Sequence, residues 1–361
     1  MSIRLTPATS PRPASPPRRR LALGGLMAAG LALSGLPALA ASSPEGRVVT
    51  ADELGASLTH VDLESGEVET HLIDITPHNV QVSASGRYLM AVGEAADDGH
   101  AHGQDKGHGQ APGQLMLFPV DEPGGEPLAN IEVGRHPAHV VSDRDDRFAF
   151  VTNAGDASVS VVDLEAREVV ASVPTGDYPH GLRLSPDGHE LYVANVEDDS
   201  VSVIDTGAHE ELARLPVGDA PVQVGFTPDG DRAFVSLRDE NRVAVIDTAT
   251  RQVVERIEVG RLPIQVHATA DGRYLLVANE GTQEEPDNRV SVIDLNRLAV
   301  VATHEVGAGA HGVAVDDTGR FAFVTGRFDD NLSVIDLEAG RVIDRHAIGR
   351  GPNGVTWITN D

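Results

Sequence analysis

"YPHGLRLSPDGHELYVANVEDDSVSVID", residues 178–205, decides how the rest of the chain is read. A turn opens a short apolar segment, "PDG" closes it, "ELYVAN" follows, and after the polar turn "VEDDS" the segment "VSVID" ends on Asp205. Proline presets φ and glycine supplies positive φ in such turns, so the short segments between them read as β-strands. The closing motif recurs as "LTHVD", "LFPVD", "VSVVD", "VSVID", "VAVID", "VSVID" and "LSVID", with aspartates at 62, 121, 163, 205, 247, 294 and 336. Four of the six spacings are 42 residues, one is 42 plus five near "TQEEPD", and the first is 42 plus seventeen. Seven units share one period.

Each unit holds four strands, the last exemplified by "LARLPVG", and four short strands in about 40 residues make one propeller blade. The prediction is an all-β, seven-bladed β-propeller built of four-stranded antiparallel blades. "GPNGVTWITND" at the end of the chain supplies only a first strand, and "GRVVTADELGASLTHVDLESGEVETHLI" only the later three. The two ends are therefore expected to share one blade and close the ring, with Trp357, the only tryptophan, inside it. Closure removes the open edges on which chains aggregate. The units "ELYVANVEDDSVSVID", "RYLLVANEG" with "NRVSVID", and "FAFVTNAGDASVSVVD" resemble the YVTN-repeat, or YncE-like, β-propeller family of exported proteins over about residues 47–358. The resemblance implies the fold and leaves the function to the site, because relatives include lactonase-like enzymes, cofactor-dependent dehydrogenase subunits and surface proteins.

Residues 1–40 differ from the remainder: five arginines and no acid, then "LALGGLMAAGLALSGL", then a small-x-small site at Ala38-Leu39-Ala40. This is the pattern of a cleaved export signal. Arg18 and Arg19 give it a twin-arginine character. The expected mature chain is a single soluble domain of about residues 41–361, periplasmic or secreted. Its net charge follows from −27 for the whole chain less five arginines, which gives −32. Such a surface repels nucleic acid and anionic lipid and attracts cations. There is no cysteine, which excludes disulfides, thiolate metal sites and thiol nucleophiles. Lys106 is the only lysine. No glycine-rich phosphate loop occurs.

Repeated positions have structural work. The aspartates that end strands precede turns whose N–H groups a carboxylate accepts, so they are read as architecture and not as acid–base pairs. Function is sought where the blades differ, at the start of each first strand, which lies nearest the axis. The residue after the proline, or after its equivalent Ala310, is His78, Ala138, His180, Val222, Ile264, His311 and Asn353 in turn. The next is Asn79, His139, Gly181, Gln223, Gln265, Gly312 and Gly354. Imidazoles from neighbouring strands at one channel mouth suit zinc or copper. The candidate ligands are His78, His139 and His180, with His311 and His136 as substitutes. His267 lies further along its strand. Regular alternation would point His139 away from His78 and His180, because it sits one place later. A second histidine group, His100, His102 and His108, falls in a His/Asp/Gly-rich insert at about 94–113 beside Asp97, Asp98 and Asp105. Short His-rich tracts read as metal-binding by composition. The pairing of a propeller with a His-rich loop is similar to that of periplasmic zinc metallochaperone propellers.

Three functions fit these residues. The first is a non-enzymatic binding protein, with a divalent zinc or copper ion or another small ligand at the channel mouth. The second is a lactonase-like hydrolase or lyase with His180 or His311 as general base and Arg183 steadying an anion. The third is a docking platform for a periplasmic protein. A ring that closes on itself is expected to be monomeric.

Overall fold

The computed structural model describes residues 43–96, 111–122 and 124–359. The stretch read as an export signal lies outside the described residues, as do His100, His102, His108 and Lys106. Among the described residues the chain forms seven four-stranded antiparallel sheets. The blade that carries the opening stretch consists of Pro179–Leu184, Glu190–Asn195, Ser200–Asp205 and Glu210–Pro216, paired in that order. The turns behave as their residues require. Gly188 takes a φ of 79° and donates its N–H to the Ser185 carbonyl at 2.8 Å. The Asp205 carboxylate accepts the N–H groups of Gly207 and Ala208 at 2.8 and 2.7 Å. Asp62, Asp163, Asp294 and Asp336 repeat this arrangement.

Alternation along each strand sends side chains to both faces of its sheet, and in the inner three strands both faces are buried between neighbouring blades, while the outermost strand is largely exposed. The core is thus a series of layers between blades. In one, Tyr192, Val201 and Val203 pack on Val224, Phe226 and Val235 of the next blade, with the Tyr192 and Phe226 rings edge to face at 5.0 Å. Each aliphatic side chain so buried contributes about 1.5–3 kcal/mol.

The ring closes as predicted. Pro352–Ile358, the first strand of the shared blade, pairs antiparallel with Arg47–Asp52, placing Trp357 opposite Val48 and Val355 opposite Thr50. The Trp357 indole N–H donates to the Glu45 carbonyl at 3.0 Å. Val48, Val61 and Val355 of this blade pack on Phe323 and Val334 of the last-formed one, so the junction has a core like the others.

Candidate metal centre

All seven first strands carry a one-residue irregularity at the same place. Pro179 pairs with Asn195 and Leu182 with Val193, which leaves His180 and Gly181 opposite Ala194 alone. Equivalent breaks follow Pro77, Pro137, Pro221, Pro263 and Ala310, and separate Pro352 from Gly354. A bulge of this kind suspends the two-residue alternation. The first and second residues after the proline therefore both face the channel, the first toward its mouth and the second just beneath. Second-strand hydroxyls fix the bulge. Thr152 accepts the His139 N–H at 3.0 Å and donates to the His180 carbonyl of the next blade at 2.6 Å. Ser236 makes the same bridge between Gln223 and Ile264, at 3.1 and 2.6 Å.

This geometry corrects the expectation that His139 points away from its neighbours. The bulge turns it inward, and ligand nitrogens of His78, His139 and His180 all lie within 4.8 Å of one another. The His78 and His180 Nε2 atoms are 3.0 Å apart, and the His139 ring centroid is 4.9 Å from that of His180 and 5.8 Å from that of His78. Two nitrogens that share a tetrahedral zinc stand about 3.3 Å apart. The His78–His180 pair has to open by a few tenths of an ångström, and His139 has to swing inward.

The protonation states suit a cation. Burial lowers the pKa of all three rings: His180 falls to about 3, His139 lies well below the usual value, and His78 is lowered despite the opposing pull of Glu53. Neutral imidazoles are the form that binds metals. The His180 Nδ1–H donates to the Val222 carbonyl at 3.2 Å, which leaves Nε2 as a lone pair aimed at His78. On the other side of His78, the Asn353 amide donates to Nδ1 at 3.0 Å and to the Glu53 carboxylate at 2.5 Å. His78 then carries its proton on Nε2 and gives it to His180. An ion taking the place of that proton shifts it to Nδ1, where Glu53 Oε1 stands 3.8 Å away and the Asn353 Oδ1 has no partner. Metal-bound histidines are commonly steadied by a carboxylate or carbonyl in this way. Asn353 stands at the repeat position of His78 and His180, and Glu53 at that of Glu94, Arg238, Glu280 and Arg327. Glu53 and Asn353 come from opposite ends of the chain and meet only in the shared blade.

The mouth is a cavity of about 340 Å³ bordered by Glu53, Glu94, Glu280, Arg238 and Arg327 besides His78 and His180, while His139 borders the space just beneath it. Arg327 pairs with Glu53 at 2.9 Å and Glu280 at 3.2 Å, and burial pushes the Glu280 carboxyl up. His136 stands at the rim against Glu94, 2.9 Å away. His311 lines the same cavity but donates Nδ1–H to the Asn353 carbonyl at 3.0 Å and does not join the three-histidine group. The strands that flank the His-rich insert, Tyr88–Ala95 and Gln114–Pro119, have their insert-side ends on this face, since Glu94 lines the mouth. His267 and Arg183 line a separate, lower chamber. Arg183 is thus not in the cavity that holds His180 and His311.

The family model for YncE-like β-propellers matches residues 128–271 and 265–361. The chain belongs to the YncE-like β-propeller family. Solved structures similar to this YncE-like chain include the Pseudomonas aeruginosa periplasmic gluconolactonase, at 21% identity over 88% of this chain and 99% of that one, with a TM-score of 0.69. Hydrazine synthase of Kuenenia stuttgartiensis matches at 22% identity over 78% and 89%, with a TM-score of 0.66. A putative 6-phosphogluconolactonase from Bacteroides fragilis matches at 15% identity over 87% and 98%, with a TM-score of 0.70. At these identities the likeness is one of fold. A comparison with curated proteins finds no match.

Proposed function

We propose that this YncE-like propeller is a non-enzymatic binding protein of an exported compartment, and that its channel mouth takes up a divalent zinc or copper ion through His78, His139 and His180. The observation that carries the reading is the convergence of three neutral imidazoles from consecutive blades, one with its tautomer set by a backbone carbonyl. Nitrogen donors without thiolate suit zinc and copper(II) better than calcium or magnesium, which prefer oxygen. The strongly acidic chain as a whole attracts cations. The insert bearing His100, His102 and His108 springs from the blade of His78, and its role in this reading is to collect the ion and raise its local concentration.

Elemental analysis and zinc or copper titration of the tag-free mature protein test this. About one ion per chain is expected, with affinity reduced at least about a thousandfold when His78, His139 and His180 are all changed to alanine. A protein that binds neither metal overturns the reading. Turnover of a gluconolactone by that metal-free protein would assign it to hydrolases instead.

A further inference from the structure

Below the histidines the channel continues as a chamber of about 120 Å³, lined by Asn79, His139, Arg183, Gln223, Gln265 and His267 among others. Its charge is unbalanced. Arg183 projects into the chamber from the first strand of its blade, and burial alone moves its pKa, downward, with no carboxylate opposing. Among the described residues no carboxylate lies within ion-pair distance of it, although the chain carries 55 acidic residues. The one acid in the lining, Asp317, is solvent-exposed at the edge. Arg183 is half-buried, and a cation partly withdrawn from water is ordinarily paired, because an unpaired charge there is costly.

A second observation points to the same space. Gln265 is only 6% exposed, its Oε1 accepts the Val313 N–H at 3.3 Å, and its Nε2 donates to nothing. Asn79, 5% exposed, has an Oδ1 without a partner, and turning its amide presents two more N–H donors to the chamber. His267 gives its Nδ1–H to the Val313 carbonyl at 3.2 Å, so a proton taken up at Nε2 would face the same space.

We propose that the lower chamber is a binding site for a small oxyanion, held by the Arg183 guanidinium with the Gln265 amide as a second donor and Asn79 as a third. The chemistry is shared by inorganic phosphate and by the carboxylate of a small organic acid, and a chamber of about 120 Å³ suits ligands of this size. His139 borders both spaces, so the two sites adjoin, but the anion donors Arg183, Gln265 and Asn79 are not among the metal ligands and need no metal at the mouth.

The test is calorimetric titration of the EDTA-treated protein at low ionic strength, with inorganic phosphate in one arm and acetate in the other. Binding in either arm with about one anion per chain supports the site and identifies which chemistry it prefers. Arg183→Gln is expected to weaken binding at least about tenfold, the loss of a charge-assisted pair, and to abolish the anion-dependent rise in melting temperature. Gln265→Leu weakens it less. His78→Ala binds the anion as the unchanged protein does, which separates this site from the metal reading. Failure of both anions to bind the unchanged protein, or binding undiminished in Arg183→Gln, overturns the proposal.

Discussion

The mouth of the channel and the chamber beneath it are built from the same seven strand starts, yet they gather different side chains. At the mouth, neutral imidazoles stand among three carboxylates, Glu53, Glu94 and Glu280, and two guanidinium groups, Arg238 and Arg327. In the chamber, a guanidinium stands among amides with no carboxylate near it. A shift of one to three residues along a strand separates the two environments, as His180 and Arg183 show on a single strand. The difference teaches that in this propeller the side chains offered to the channel depend on depth along a strand as well as on the blade.

Acid should disturb both levels together and most strongly. His78, His139, His180 and His311 at or just below the mouth, and His267 in the chamber, with a pKa lowered to about 4, are all held neutral by burial. A base whose pKa is lowered in the fold binds more protons when unfolded. Its stabilising contribution is therefore complete above about pH 6.5 and is lost as the pH falls toward the folded values. Each such histidine contributes up to about 1.4 kcal/mol per pH unit in that window. Urea midpoints at pH 7.5 and 4.5 measure the loss, and a midpoint that does not fall would show that these rings are not held neutral.

A narrower change should separate the levels. Glu53→Gln removes the carboxylate that supports His78 while leaving the three ligands in place, and zinc affinity should drop about 10- to 100-fold. Phosphate titrations of the same variant should change little, since Glu53 does not line the chamber. Equal losses in both titrations would mean that the two levels act as one site.

The smallest effect is expected at the bulge itself. Thr152→Ala removes the hydroxyl that joins the His139 N–H to the His180 carbonyl, at a cost of about 1–2 kcal/mol in stability. Thr152→Ser keeps the hydroxyl and should recover most of that loss. A denaturant series on the two variants decides whether the hydroxyl or the methyl group matters.

The fold was legible because its evidence is periodic: the strand-ending aspartates at a spacing of 42 residues mark every blade and need no tertiary context. The site was legible only in outline. His78 and His180 stand at one repeat position, and the sequence gathers them at the mouth. His139 was misdirected because alternation is a rule for regular strands, and the extra residue that turns it inward leaves no mark in a single blade. The clue was present in "FAFVTN", whose Thr152 secures the bulge, but threonine is common in strands for other reasons. Glu53 and Asn353 stand at repeat positions that line the mouth in other blades, but the period does not show that they meet beside His78, because they come from opposite ends of the chain. The isolation of Arg183 is a property of empty surroundings, which a sequence does not display.

The shared blade gives the molecule a test of its own completeness. Asn353, which links Glu53 to His78, belongs to the last strand, about 300 residues along the chain from its partner. Contacts so distant in sequence form late, and a nascent or clipped chain without residues 352–361 lacks Asn353 altogether. Such a chain would present the three histidines with one of them unsupported. Tight capture of an ion would then be reserved for molecules whose synthesis has finished and whose ring has shut, so the cargo itself would certify the carrier as whole.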